Sequence, residues 1–104
     1  MQDNLRTVNV GLIGLGTVGG GVARTILSHH DRYLDAYNID LKIARACGLV
    51  WEQAGAAGIT PEQFTSDWHD VVSDESVDIV VELIGGEHPA TEIYEAAFAA
   101  GKHV

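Results

Sequence analysis

Three glycines at positions 14, 16 and 19 directly follow a short apolar run, and this spacing constrains the fold more than any other feature of the chain. The run, residues 8–13, is rich in β-branched residues and predicts a buried parallel strand. Gly14 permits a tight turn out of the strand, Gly16 allows close approach to the backbone, and Gly19 lets a helix pack against the strand. The sequence therefore predicts a strand, a glycine turn and a helix in immediate succession.

The predicted turn is suited to hold the pyrophosphate of a dinucleotide. A helix that starts there offers unpaired backbone N–H groups and about half a positive charge to an anion. The alternative is a turn that only joins strand to helix, but such a turn does not require three glycines at these offsets. We expect cofactor contacts from one continuous segment: Gly14, Leu15, Gly16, Thr17, Val18 and Gly19.

Strand-like and helix-like patterns alternate along the rest of the chain. Helices are predicted from the glycine turn to about Tyr37 and over residues 67–73 and 89–100, and strands over residues 8–13, 41–47, 77–84 and 102–104. Residues 60–65 contain both a helix-start signal and a strand candidate, and residues 51–58 indicate a loop with a helical turn. The alternation predicts an α/β fold with a Rossmann-type, doubly wound parallel sheet. Residues 1–104 are expected to form one incomplete dinucleotide-binding domain, truncated at the start of the fifth strand.

A second glycine-containing segment ends the predicted strand at residues 77–84. Ligands of open α/β sheets bind outside the carboxyl ends of the strands, so we expect Ile84, Gly85 and Gly86 to pass beside the nicotinamide ribose. A simple strand-ending turn is the alternative. Glu82 is either a buried functional carboxylate or a solvent-facing one, and the sequence does not distinguish the two.

The end of the second predicted strand lacks the acid that usually binds the adenosine ribose hydroxyls. The expected place is residues 47–50, and Glu52 is the nearest candidate. Arg45 is close but lies inside the strand. Because the group that would repel a 2′-phosphate is missing, the sequence favours NADP or dual use over NAD alone.

The amino-acid composition disfavours several classes of partner and site. The net charge is −9, and eleven acids but no Lys or Arg lie between Arg45 and Lys102, which disfavours nucleic acid as a partner. No apolar run is long enough to span a membrane, and the N-terminus does not resemble a signal peptide, so a soluble, cytoplasmic protein is expected. Cys47 is the single cysteine, which excludes an internal disulfide and predicts plain packing. His88 and His103 are isolated, and no metal site is expected.

Three segments resemble homoserine dehydrogenases. They are VGLIGLGTVG at residues 10–19, DIVVELIGG at 78–86 followed by Pro89 and Ala90, and AAFAAGKHV at 96–104. The resemblance implies NAD(P)-dependent interconversion of L-homoserine and L-aspartate 4-semialdehyde in threonine, methionine and isoleucine synthesis. It also implies a catalytic lysine after residue 104 and a later domain that binds the amino-acid substrate and dimerises. Many members carry Arg-Asp where this chain has Leu49 and Val50.

Two other classes share parts of this pattern. Sugar dehydrogenases of the glucose–fructose oxidoreductase type have a glycine motif and a similar ending, but their fourth strand usually leads into a Thr-Pro turn. A non-catalytic nucleotide-sensing domain would use the same glycine turn. Under the favoured interpretation, this chain contains no catalytic residue, Lys102 faces solvent or the cofactor edge, and the chain alone binds cofactor without turnover.

Overall fold

A computed structural model describes residues 5–84 and 90–104 and contains a parallel sheet of four strands. The strands are β1 (Arg6–Ile13), β2 (Ile39–Cys47), β3 (Phe64–Thr65) and β4 (Ile79–Glu82). Their order across the sheet is β3-β2-β1-β4, and every neighbouring pair is parallel. Successive strands are added on one side of β1 and then on the other, which is the doubly wound pattern that the sequence predicts.

Five helices connect or follow these strands within the described residues. They are α1 (Thr17–Ser28), α2 (His30–Tyr37), α3 (Trp51–Ala56), α4 (Trp68–Ser73) and α5 (Ala90–Ala99). None of them is long and apolar enough to cross a membrane.

Two apolar cores cover the two faces of the sheet. Side chains alternate along β1, so Val10 and Leu12 point into one core and Ile13 into the other. The first core includes Ala23 and Ile26 of α1 together with residues of and after α3: Ala54, Ala57 and Ile59. The second includes residues of α4 and α5: Val71, Val72, Ile93 and Ala97. The sheet is therefore the middle of three layers.

The single helix predicted up to Tyr37 is wrong, because the structure divides it at His29. The His29 backbone leaves helical geometry at φ −104° and ψ 10°, while its N–H still donates to the Thr25 carbonyl at the end of α1. α1 is held by apolar contacts with the sheet, whereas none of the eight described residues of α2 is buried. The two helices therefore differ in how deeply they pack against the sheet.

Other element boundaries also differ from the prediction. Residues 51–58 contain a true helix, α3, and residues 61–63 form only a turn before β3. The Gln63 side chain accepts from the Thr60 N–H at 2.8 Å, which is one of the two hydrogen bonds of a helix-capping box, but no helix follows it.

The strand predicted at 77–84 shortens to the four residues of β4, which pair with residues 10–13 of β1. The predicted opening of a further strand appears as one parallel bridge between Ile79 and His103. Gly101 follows α5 with φ +77°.

Candidate functional site

The carboxyl ends of all four strands are tied together at one edge of the sheet. The Gly14 N–H donates to the Cys47 carbonyl at 2.9 Å, and the Leu83 N–H donates to the Ile13 carbonyl at 2.8 Å. The Gly48 N–H donates to the Thr65 carbonyl at 3.1 Å. The backbone leaving each strand is thus held against its neighbour, at the edge where open α/β sheets bind ligands.

The three glycines of the turn meet three different requirements. Gly14 has φ +104°, and a Cβ there would lie 3.0 Å from the Leu83 carbonyl carbon. A Cβ on Gly19 would lie 1.8 Å from the Gly14 carbonyl oxygen, so only glycine permits this contact between helix and turn. A Cβ on Gly16 would meet no described atom within 4 Å. Folding therefore requires glycine at 14 and 19, whereas the space beside Gly16 is open to a ligand.

The first turn of α1 faces this open space without a competing anion. Gly16 is the N-cap residue and has no side chain with which to cap the helix. The first turn also carries no acidic residue. The helix has 12 residues, so its positive end retains the ability to bind a phosphate.

A cleft of about 490 Å³ opens between the glycine turn, the end of β2 and the segment after β4. It is lined by Gly14, Leu15, Gly16, Cys47, Gly48, Leu49, Gln53, Ser66, Trp68, Leu83 and Ile84. A site of this size with mostly apolar walls is typical for a small cofactor.

The predicted site residues fall into three groups in this structure. Gly14, Leu15, Gly16 and Ile84 lie together along the cleft. Gly19 is buried beneath the turn, and Val18 is 65% exposed outside the described lining. Thr17 is the first residue of α1. Gly85, Gly86 and His88 lie outside the described residues.

The end of β2 presents neither an acid nor a free cation to the cleft in the described part of the chain. Leu49 is 91% exposed there, and Glu52 is exposed on α3 without lining the cleft. A register shift pairs Val10 with Ile43 but Gly11 with Arg45, so β2 bulges between these positions.

Arg45 is directed away from the cleft by its ion pairs. Its guanidinium lies 3.7 Å from the Asp70 carboxylate and 3.9 Å from that of Asp74, on and just after α4. It also donates to the Glu62 carbonyl. Arg45 therefore stabilises the α4 side of the sheet and is not available to a ligand.

Cys47 lies in the cleft wall as a buried free thiol. Burial raises the pKa of Cys47 to about 11, with smaller contributions from the negative charges of Asp67 and Asp70. A thiol of this kind is a poor nucleophile and a poor acid at neutral pH, in agreement with the predicted packing role.

Glu82 is neither a fully buried carboxylate nor a fully solvent-facing one, the two alternatives that the sequence left open. It is half-buried, and its carboxylate accepts from the N–H of Ile84, two residues further along its own chain. The Tyr94 hydroxyl donates to the other carboxylate oxygen at 3.3 Å. Burial and the negative charge of Glu82 raise the pKa of Tyr94. Glu82 thus orders the segment that forms one wall of the cleft.

The expectation that Lys102 faces solvent or the cofactor edge is wrong. Its ammonium group donates to the Asp74 and Val77 carbonyls, both at 2.8 Å. Those carbonyls precede β4, so Lys102 lies near the amino end of that strand, opposite the cleft. No cluster of metal ligands occurs among the described residues, His103 included.

The family model for the homoserine dehydrogenase NAD-binding domain matches residues 14–104. This chain belongs to that family. It is 37% identical over 101 residues to a homoserine dehydrogenase of Neisseria gonorrhoeae, and 32% identical over 100 residues to that of Bacillus subtilis. Each alignment covers 96% of this chain and 23% of the relative. The chain thus spans about a quarter of the length of the homoserine dehydrogenases that it matches.

Solved structures agree with this assignment. A homoserine dehydrogenase from Thiobacillus denitrificans superposes with a TM-score of 0.82 at 39% identity, covering 96% of this chain and 23% of that one. A levoglucosan dehydrogenase in complex with NADH superposes with a TM-score of 0.75 at 26% identity, covering 94% of this chain and 26% of that one. The sugar-dehydrogenase alternative thus shares the fold, while the family model favours homoserine dehydrogenase.

Several residues that line the cleft of this homoserine dehydrogenase domain were not predicted from the sequence as site residues. Gln53, Ser66 and Trp68 line it from α3 and from the segment between β3 and α4. Arg24 lines an adjoining hollow next to Gly20. The four-residue spacing between Gly20 and Arg24 is the only sequence signal that could have indicated that hollow.

Proposed function

We propose that this chain binds the nicotinamide dinucleotide NADP or NAD at the cleft beside the glycine turn. The observation that carries the proposal is the open space at Gly16, directly before an uncapped helix that carries no acid in its first turn. Family membership supports the same conclusion. The proposed contacts are Gly14, Leu15, Gly16, Thr17, Val18, Gly19, Ile84, Gly85 and Gly86.

We further propose that the protein at its full natural length is a homoserine dehydrogenase, which interconverts L-homoserine and L-aspartate 4-semialdehyde in amino-acid biosynthesis. When bound, the cofactor supplies or accepts the hydride. Residues 1–104 act as the dinucleotide-binding domain, and the small amino-acid substrate is bound by a further domain that also forms a homo-oligomer. A cytoplasmic location, without nucleic acid or membrane as a partner, belongs to the same proposal.

The chain's own residues then bind and orient the cofactor. The backbone N–H groups of the first turn of α1 would hold the pyrophosphate, and the apolar walls formed by Leu15 and Ile84 would exclude water. Glu82 would position the wall segment through its bond to the Ile84 N–H. These roles are binding and positioning, and none is a proton transfer.

Gly16→Ala tests the proposal, with Gly21→Ala as a matched control. Neither added methyl group would meet a described atom within 4 Å, and Gly16 has φ −72°, which alanine tolerates. We expect Gly16→Ala to weaken NADPH and NADH binding about tenfold or more, without lowering the melting temperature. Gly21→Ala should leave both affinities unchanged and stabilise α1 by up to about 1 kcal/mol. Isothermal titration with each nucleotide measures the affinities, and equal binding by wild type and Gly16→Ala would remove Gly16 from the site.

A further inference from the structure

A second hollow of about 270 Å³ lies between α1 and α3 and adjoins the cleft. It is lined by Leu15, Gly16, Gly20, Arg24, Gln53 and Ala56. Leu15, Gly16 and Gln53 also line the cleft, so the two spaces meet at the glycine turn. A dinucleotide held at the turn would therefore lie beside this hollow.

Arg24 provides the single charge among the described residues that line the hollow. It lies one helical turn after Gly20, and its guanidinium extends back along α1, since a Cβ on Gly20 would lie 3.5 Å from Arg24 Nη1. Within residues 5–84 and 90–104, Arg24 forms no ion pair or hydrogen bond with another side chain. Arg24 is exposed and lacks a side-chain partner among the described residues, so its guanidinium is accessible to an anionic ligand in the hollow.

The residues around Arg24 restrict which anionic group it would bind. The pyrophosphate is already provided for by the first turn of α1, so the anion at Arg24 is a further one. Leu49 stands exposed at the end of β2, in the place where many Rossmann domains have an acid that binds the ribose. Without that acid, nothing at this position repels a phosphate on the 2′-oxygen. Arg45, the other candidate cation, is held by Asp70 and Asp74.

We infer that Arg24, assisted by the amide of Gln53, binds the 2′-phosphate of NADP(H) in the hollow between α1 and α3, so that this chain binds NADP more tightly than NAD. This inference rests on the proposed cofactor binding. Arginine provides paired N–H donors that match phosphate oxygens, and the Gln53 amide offers another donor from α3.

The test compares nucleotides with and without the 2′-phosphate, using the protein at its full natural length. We expect Arg24→Gln to raise the Kd for NADPH about tenfold to a hundredfold and to change the Kd for NADH less than about twofold. Arg24→Lys should lie between wild type and Arg24→Gln, because lysine retains the charge without the paired donors. Arg32→Gln is the matched control, since Arg32 is an exposed cation on α2 and should affect neither nucleotide.

Competition by adenosine 2′,5′-bisphosphate and by 5′-AMP isolates the same contact from the nicotinamide half. Arg24→Gln should weaken the bisphosphate and leave 5′-AMP unchanged. Equal weakening of both would show that Arg24 stacks on the adenine, and no change in either would place the 2′-phosphate elsewhere; each result overturns the inference while leaving the proposed cofactor binding intact. If wild-type protein binds neither NADPH nor NADH, the proposed cofactor binding itself fails.

Discussion

The His30 ring and the Asp40 carboxylate meet at 2.6 Å, where α2 lies beside the start of β2. The hydrogen bond to Asp40 raises the pKa of His30, and a weaker one to Asp31 acts in the same direction. The same bond to His30, with help from Lys42, lowers the pKa of Asp40. α2 has no buried residue among its eight described ones, and this polar contact connects the helix to the sheet.

This pair predicts a pH-dependent stability. A histidine whose folded-state pKa is raised contributes fully below its unfolded pKa, near 6.5, and the contribution is lost as the pH rises through the folded value. Asp40→Asn should therefore destabilise the protein at about pH 6, and the difference from wild type should shrink toward about pH 8.5. Urea unfolding at several pH values measures it.

The same experiment also predicts how the stability difference between wild type and Asp40→Asn changes at acid pH. Since the pKa of Asp40 is lowered on folding, its contribution is also lost as the pH falls through that lowered value. Asp35→Asn, an exposed change on the same helix, serves as the control. A constant difference between wild type and Asp40→Asn from acid to alkaline pH would show that the pair does not couple folding to protonation.

Single residues of the site were predictable where the constraint was a property of the local backbone. The positive φ at Gly14 and the contact between Gly19 and the Gly14 carbonyl agree with the tight turn and the close helix packing that the glycine spacing predicts. Arg24 was not predictable, because its significance depends on which face of α1 lies against α3. Lys102 was misplaced because the carbonyls that hold it lie 25 and 28 residues earlier in the chain.

Among the elements, β1 and α4 are packed so closely that a methyl group would not fit between them. A Cβ on Gly11 would lie 2.4 Å from Val71 Cγ1 and 3.0 Å from Val77 Cγ1. Val71 is fully buried on α4, and its side chain fills the space that a larger residue on β1 would need. The absence of a side chain at Gly11 therefore sets the distance between helix and sheet.

A double-mutant cycle tests this dependence. Gly11→Ala should destabilise the protein by about 1–3 kcal/mol through overpacking, and Val71→Ala by a similar amount through the cavity that it creates. Because the alanine methyl at position 11 would enter that cavity, the double variant should be more stable than the sum of the two changes predicts, by about 0.5–3 kcal/mol. Chemical denaturation supplies the four free energies of unfolding.

Val72→Ala provides the matched control for this cycle. Val72 is also buried on α4, but it is not among the closest neighbours of a Cβ at Gly11. Gly11→Ala combined with Val72→Ala should be additive. Additivity in the Val71 cycle as well would mean that α4 moves to accommodate the methyl group.

Element type was predicted better than element length, and the reason is the range of the interactions involved. Apolar runs identified β1, β2 and β4, and start and stop signals around an alanine-rich segment identified α5. β4 ends at Glu82, which pairs with Ile13, the last residue of β1. The end of α1 at His29 was missed because the helical sequence pattern continues through it.

At the scale of the molecule, the cleft is equipped for binding but not for proton transfer. Of the cleft residues within 5–84 and 90–104, Cys47 is the single ionisable one, and its pKa of about 11 makes it a poor proton donor. Lys102 is held near the amino end of β4, opposite the cleft.

Beside β4 a groove of about 450 Å³ is lined in part by Tyr94, Val104 and Phe98, the last of which is 64% exposed.

We therefore expect the 104-residue chain to bind NADPH without oxidising homoserine. Oxidation of homoserine needs a base that takes the hydroxyl proton, just as the reverse reduction needs a proton donor for the developing alkoxide, and general acid–base catalysis contributes about 10²–10⁴-fold to such steps. The reaction also needs the substrate carbon held against the nicotinamide, which is worth several kcal/mol of the barrier. We expect the isolated chain to turn over homoserine with NADP at less than about 1% of the rate of the protein at its full natural length, as followed by NADPH absorbance. Titration of the same sample with NADPH serves as the control that the chain is folded and competent to bind. Comparable turnover by the two proteins would mean that a proton-transferring group lies within these 104 residues.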